Sequence, residues 1–395
     1  MKASHIAWTT VAAVTTVAVA TTAGIGVAVH KEFGNLDHGQ PPAVPAMQQV
    51  IAPAEPADVN REQLIADLNK AAADPALATF GAQVVDTTTG DVVWTHDDSL
   101  PLIPASSTKI LTTSAALYTL PLLHRVRTEV MRVPDSSVVV IKAAGDVWMN
   151  TKQISELTAA IKATEGAEGI DTVFVDTSVW SGPTQVEDWD PDNISAGYVA
   201  PIEPVMLYGG RLYEGDEAFT TGDVPRSFTP ALDVAQALAA ELDAPNVGLG
   251  PVPANAEVIA ATQSQPLAMR LEQMMKHSDN VAAEAIAREV AAARGAQPSF
   301  ASAAAATVDI LREAGHNVDG VLLVDNSGLS DSNRIPAAVL NELVSAAITD
   351  TPLRPLTGYL PVAAGEGTLQ KRYVELSGRG FVRAKTGTLT GVSAL

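Results

Sequence analysis

Three short motifs hold most of the residues that could do chemistry. Ser106-Ser107-Thr108-Lys109 sets a hydroxyl and an amine three positions apart, so on a helix the two share a face. A serine hydroxyl is a weak nucleophile until a neighbour takes its proton, and a lysine amine can do so once burial or nearby positive charge lowers its pKa. Placement at the start of a helix adds backbone N–H groups able to receive a developing oxyanion. Further along stand Ser278-Asp279-Asn280 and Lys385-Thr386-Gly387-Thr388. Taken singly, each motif has a plain structural explanation: an N-capping serine with a solvated lysine, another helix cap, and a turn.

The elements that must position these groups follow from periodicity and turn residues. Asn60 begins a helix running to about Ala73, and Gly81–Asp86 with Val92–Thr95 read as two short strands joined by Thr88-Thr89-Gly90-Asp91. Ile110, Leu111, Ala115 and Leu117 recur at helical spacing, which predicts a helix from Ser107 to Leu120 with the first motif at its start. Strands are expected at 138–143 and 172–176 with a helix at 154–162 between them, and residues 180–229 show no clear period. Helices follow at 231–242, 266–275, 280–294 and 299–314, and strands return at 320–324 and 380–385. Ser278-Asp279-Asn280 thus falls between two helices, and Lys385 ends a strand. The pattern is α+β: an antiparallel sheet with a helical cluster, interrupted by a segment of different texture.

Composition narrows the function classes. In 395 residues the apolar fraction is 47% and the charged fraction 18%, which excludes global disorder. A net charge of −20 disfavours nucleic acid as a partner. The chain has no cysteine, so disulfides, thiolate metal sites and a cysteine nucleophile are excluded, and the seven histidines are scattered without ligand spacing, so no metal or other cofactor is implied. From Ile6 to Val29 no residue is charged, and Lys2 precedes the run. Residues 1–29 are therefore expected to be a transmembrane anchor with the bulk of the chain outside, or a signal peptide cleaved near Ala18-Val19-Ala20. Residues 30–58, with five prolines and no periodicity, read as an extended linker.

In this order and these contexts the three motifs form the serine, SDN and KTG set of penicillin-binding proteins and β-lactamases. From about residue 60 onward the chain resembles, more specifically, the serine D-alanyl-D-alanine carboxypeptidase/endopeptidase family of low-molecular-mass class C penicillin-binding proteins (peptidase family S13), in an actinobacterial version. The longer signatures carry that likeness: Pro104 to Lys109 followed by Leu111 to Leu117, Met275 to Asn280, Asp325-Asn-Ser-Gly-Leu-Ser330 with Asn333-Arg334, and Leu360-Pro-Val-Ala with Gly367-Thr-Leu. The long stretch between Ser106 and Ser278 also matches, since this family carries an inserted domain there. The resemblance implies a penicillin-binding-protein/β-lactamase-like catalytic domain over 59–130 and 229–395, with a second domain inserted at 131–228.

The resemblance further implies acyl transfer at the D-Ala-D-Ala end of peptidoglycan stem peptides, with β-lactams as acylating mimics. Ser106 is the implied nucleophile and Lys109 its base. Ser278 relays a proton to the departing nitrogen under the influence of Lys109 and Lys385, and Asn280 binds the acyl-side amide and holds Lys109. Lys385 and the hydroxyls of Thr386 and Thr388 suit the substrate's free carboxylate. Gly387 and Leu329 complete the implied substrate contacts, and the backbone N–H groups of Ser106 and Thr388 form the oxyanion hole. Three points depart from the family pattern: Asp331 stands where relatives often carry a basic residue, the Gly-Asp stretch reads Ala144-Gly-Asp-Val-Trp-Met, and relatives continue past the position of Leu395 with strands and a helix that complete the KTG sheet. The last point leads us to expect an incomplete sheet. Two other readings use the same motifs: a β-lactamase, for which no persuasive Glu-x-x-x-Asn element is found, and a catalytically weak wall-binding scaffold.

Overall fold

A computed structural model describes residues 59–134, 136–164, 169–212 and 223–394. The apolar run at 6–29 and the proline-rich stretch at 30–58 lie outside the described residues. Among the described residues no helix is long and apolar enough to cross a membrane. Residues from Arg61 onward form one compact unit.

The unit opens with helix α1 (Arg61–Ala72) and the antiparallel hairpin β1 (Ala82–Val85) and β2 (Val92–His96). Helix α2 (Lys109–Thr119) is buried along its first nine residues, Lys109 to Leu117, and so lies at the centre of a helical cluster rather than on its surface. Around it pack α5 (Leu267–His277), α6 (Asn280–Ala293), α7 (Phe300–Glu313) and α8 (Ala337–Thr349), which share one core with Leu111, Leu271, Ile286, Leu311 and Leu343 fully or almost fully buried. Alanines dominate α6 and α7, and their small side chains let these helices sit close to α2 with little cost in helix propensity. Asp279 caps α6, accepting the Ala282 N–H, and a capping box of Ser299 with Ser302 starts α7.

A second core forms on a five-stranded sheet of order β8-β6-β4-β3-β9. Its strands are β3 (Arg127–Arg132), β4 (Val138–Lys142), β6 (Thr172–Asp176), β8 (Asn246–Leu249) and β9 (Glu257–Gln263). β3 runs antiparallel to β4 and β9, whereas β4, β6 and β8 are parallel. Parallel neighbours need crossover connections. Helices α3 (Thr151–Lys162) and α4 (Pro230–Leu242) supply them, and both bury their apolar stripes against the sheet. Short strands β5 (Asp146–Met149) and β7 (Val205–Leu207) pair with each other beside a third core, in which Val147, Trp189, Ile202 and Met206 meet Val281 and Ala285 of α6.

The sheet and its helices span 127–263, because Ala231, Val234, Ala235 and Leu238 of α4, repeating at helical spacing, enter the core of the sheet. Two sequence expectations change. The strand expected at 320–324 is reduced to an isolated bridge between Leu322 and Arg334. The strand expected at 380–385 is a turn with one bridge from Arg383 to Val362, so Lys385 precedes its strand instead of ending one. That strand, β10 (Gly387–Leu389), forms an antiparallel hairpin with β11 (Val392–Ala394).

Ile161 and Leu238 lie on different helices but the same sheet face, and both are fully buried. Ile161→Ala and Leu238→Ala should each lower the unfolding free energy by roughly 2–5 kcal/mol in urea titrations. Leu249→Ala, at a residue 56% exposed on β8, should change it by no more than about 0.5 kcal/mol. Equal losses at all three positions would contradict this packing.

Candidate active site

Ser106 sits on a single 3-10 turn, Ala105–Thr108, that leads into α2. Two hydroxyls tie the turn down: Ser107 Oγ donates to the Pro104 carbonyl at 2.7 Å and Thr108 Oγ1 to that of Ala105 at 2.9 Å. Ala105 takes a φ of +46°, a left-handed conformation that costs a non-glycine residue about 1 kcal/mol or more. Two glycines crowd this turn. A Cβ on Gly328 would lie 1.8 Å from the Ala105 carbonyl oxygen, and one on Gly387 would lie 3.0 Å from the Pro104 carbonyl oxygen and 3.1 Å from the Ser106 nitrogen. Only bare backbone fits there, so β10 runs directly against the serine turn.

Lys109, the first residue of α2, is wholly buried. Its Nζ donates to Ser106 Oγ at 3.0 Å, Asn280 Oδ1 at 2.7 Å and the Ser327 carbonyl at 2.6 Å. Burial lowers its pKa to about 8, although the negative charges of Asp325, Asp279 and Glu284 resist the shift. A second serine–lysine pair lies beside the first. Ser278 ends α5 in a left-handed conformation, φ +60° and ψ +35°, and accepts a hydrogen bond from Lys385 Nζ at 2.8 Å. Lys385 also donates to the Thr386 carbonyl at 2.7 Å, and burial, reinforced by the nearby Lys109, pushes its pKa well below the usual lysine value.

The structure therefore brings together Ser106, Lys109, Ser278, Asn280 and Lys385. Thr386 follows on, its hydroxyl 2.7 Å from that of Thr368. Leu389 and Val392 flank a two-residue turn and form a hydrogen-bonded pair, so the next pair, Thr388 with Ser393, is not hydrogen-bonded and the Thr388 N–H points away from β11. Leu329 is half-buried and packs against the third core, with its N–H 3.3 Å from Ser327 Oγ. Asp331 is exposed on the same turn. Among the described residues no group of three or more histidine or carboxylate side chains could hold a metal.

Sequence reasoning missed several supports of this arrangement. Asp325 anchors the 325–333 segment, accepting from the N–H groups of Gly328 and Ser330 at 2.7 Å, Asn333 Nδ2 at 2.8 Å and Trp189 Nε1 at 2.9 Å. Buried Arg211 reaches Asp279 at 2.9 Å, with Arg226 at 3.9 Å, and Arg226 also donates to the carbonyls of Gly197 and Gly209. Burial works against an ionised Asp279, but the two guanidiniums outweigh it and hold its pKa below the usual aspartate value. Asn280 Nδ2 donates to the Tyr198 carbonyl at 3.0 Å. Arg211 and Arg226 come from a stretch without period, where nothing in the sequence marks them as partners of Asp279.

A buried serine–lysine pair at the head of a central helix, faced by a second serine–lysine pair, lies within a penicillin-binding-protein/β-lactamase-like fold. Two solved structures of penicillin binding protein 4 (dacB) from Haemophilus influenzae share that fold. One has a TM-score of 0.67 at 20% identity, covering 79% of this chain and 85% of that one. The other, complexed with a novel β-lactam, has a TM-score of 0.61 at 19% identity, covering 83% and 88%. The chain belongs to the D-Ala-D-Ala carboxypeptidase 3 (S13) family, whose profile matches residues 64–225 and 215–395. It is 38% identical to carboxypeptidase DacB of Mycolicibacterium smegmatis over all of this chain and 89% of that protein. It is 26% identical to a D-alanyl-D-alanine carboxypeptidase of Actinomadura over 89% of this chain and 82% of the relative.

The buried Asp279 charge offers a direct check of the site's electrostatics. Arg211→Met should cost about 3 kcal/mol at neutral pH by leaving that buried carboxylate with the more distant Arg226, at 3.9 Å, as its remaining guanidinium. In the wild type the depressed pKa of Asp279 contributes stability above its unfolded-state pKa that is lost as pH falls through the folded value. The deficit of the variant should therefore shrink on acidification, as protonation removes the carboxylate's charge. A deficit independent of pH in urea melts would rule out this account.

Proposed function

We propose that the chain carries out the D-Ala-D-Ala peptidase chemistry of its family through an acyl-enzyme on Ser106. The observation that carries this reading is the hydrogen bond of 3.0 Å between Ser106 Oγ and a fully buried Lys109 amine whose pKa is lowered to about 8. At pH 7 about a tenth of such an amine is neutral, enough to serve as a base without waiting on a large unfavourable deprotonation. Ser106 Oγ attacks the carbonyl of the penultimate D-Ala while its proton passes to Lys109. The N–H groups of Ser106 and Thr388 receive the oxyanion, a role supported by the outward direction of the Thr388 N–H and the close approach of Gly387 to the serine turn.

Collapse of the tetrahedral intermediate breaks the C–N bond. Ser278 relays a proton to the leaving amine, giving up its hydroxyl proton and taking in its place the one Lys109 received from Ser106, so that Lys109 is neutral again; Lys385, hydrogen-bonded to that hydroxyl, favours the transfer. Lys385, Thr386 and Thr388 bind the terminal carboxylate, with Gly387 and Leu329 lining the same cleft. Water then cleaves the ester, releasing the shortened peptide and restoring Ser106. The substrate class is the peptidoglycan stem peptide, cleaved at D-Ala-D-Ala or at D-Ala–diamino acid cross-links. β-Lactams mimic the scissile bond and acylate the same serine. The reaction belongs outside the cytoplasm, where residues 6–29 serve as an anchor or an export signal and 30–58 as a tether.

Ser106→Ala should abolish both the covalent adduct with labelled penicillin and the release of D-Ala from a pentapeptide, while thermal unfolding stays within a few degrees of wild type. The acylation rate of the wild type should rise with pH through about 8, because the neutral form of Lys109 is the reactive one and grows as pH passes its pKa. An adduct that persists in Ser106→Ala, or a rate flat between pH 6 and 9, sinks the proposal.

A further inference from the structure

The ammonium form of Lys109 has three N–H bonds and three acceptors: Ser106 Oγ, Asn280 Oδ1 and the Ser327 carbonyl. The neutral amine has only two N–H bonds and one lone pair. If the two stay on Asn280 and Ser327, the lone pair is left facing the Ser106 hydroxyl, which is the arrangement a base requires. The placement of the Ser327 carbonyl therefore matters as much as that of Asn280.

Glu284 shares control of that placement with Asp325: Asp325 accepts the Gly328 N–H of the carbonyl's own peptide, and Glu284 fixes the two peptides that lead into it. Glu284 lies four residues beyond Asn280 on α6, one turn on and on the same helix face, and is wholly buried. Its Oε1 accepts the N–H groups of Asn326 and Ser327, both at 2.8 Å. One face of α6 thus holds both acceptors of the reactive amine, Asn280 directly and Ser327 through Glu284. The charged groups around the carboxylate are Arg288 on the same helix, at 3.4 Å, Asp325 from the adjoining turn and Lys109 from α2, which also feels Asp279 at the start of α6. Burial first, then Asp325, raise the pKa of Glu284 to about 7 against the pull of Arg288. The charge on Glu284 in turn favours the proton on Lys109.

We propose that Glu284 is a positioning residue for the acylation of Ser106: it aims Lys109 by fixing the Ser327 carbonyl, and its charge governs how readily Lys109 gives up its proton. The inference rests on the function proposed above. The carboxylate and the amine form a coupled pair, so protonating Glu284 makes Lys109 a weaker holder of its own proton.

Glu284→Gln keeps an oxygen for both backbone N–H groups and removes the charge. In the full chain, the acid limb of the β-lactam acylation rate should move to lower pH by about one unit. Glu284→Ala, which leaves two buried N–H groups without an acceptor, should slow acylation roughly tenfold or more at every pH. A merely structural role would alter the amplitude and leave the limb in place, so an unmoved limb in folded Glu284→Gln overturns the proposal. Should that variant fail to fold, the wild type carries the test: with 13C at the lysine ε carbons and the signal assigned by its loss in Lys109→Arg, Lys109 should show a second, smaller step near neutral pH. Absence of that step overturns the proposal. A wild type that forms no β-lactam adduct would overturn the proposed function instead, and the NMR titration would still decide the coupling.

Discussion

The site depends on a lysine with no access to water. Taking an ammonium out of solvent costs several kcal/mol even after the protein relaxes around it, and Lys109 sits at the first turn of a helix buried along most of its length. That cost becomes tolerable only if every N–H finds an acceptor. The three acceptors come from three places far apart in the chain: the serine turn, the start of α6 and the 325–330 segment. Each then needs its own anchor. Much of the polar structure near the site consists of those anchors.

Helix α6 is where they converge. Its alanines pack against α2 and α7, while its polar positions do different work along one rod: Asp279 caps it and takes the Arg211 charge, Asn280 reaches Lys109, Glu284 holds the 326–327 peptide, and Glu289 pairs with Arg270 in a bidentate contact. A rigid helix is a better mount for such groups than a loop, because its side-chain positions are fixed by packing. The segments on either side of β7 contribute as well: Arg211 and Arg226 reach the SDN turn, and Tyr198 presents its carbonyl to Asn280.

Much of this was legible in the sequence where local pattern sufficed. Helix α2 shows its apolar spacing, and the three motifs show their residue types. The limits were of two kinds. Periodicity reports that a helix such as α4 has an apolar face without reporting which core receives it, so the sheet's true extent over 127–263 stayed hidden. Short irregular segments leave no period at all, which concealed Arg211, Arg226 and the turn before Lys385. The two glycines nearest Ser106 are intermediate: Gly328 and Gly387 stand in visible motifs, but the close backbone approach that requires them appears only in three dimensions.

The contact between Gly387 and the serine turn has a consequence for how the protein comes into being. Ser106 emerges early from the ribosome, whereas Lys385 and the strand that flanks the serine emerge nearly three hundred residues later, so their meeting is among the most distant closures in the chain. Until that closure the Ala105 turn lacks the strand backbone that packs against its left-handed bend. The unfolded chain therefore carries a chemically ordinary serine at position 106. The contact of Ser106 with a water-free amine is acquired only by folding.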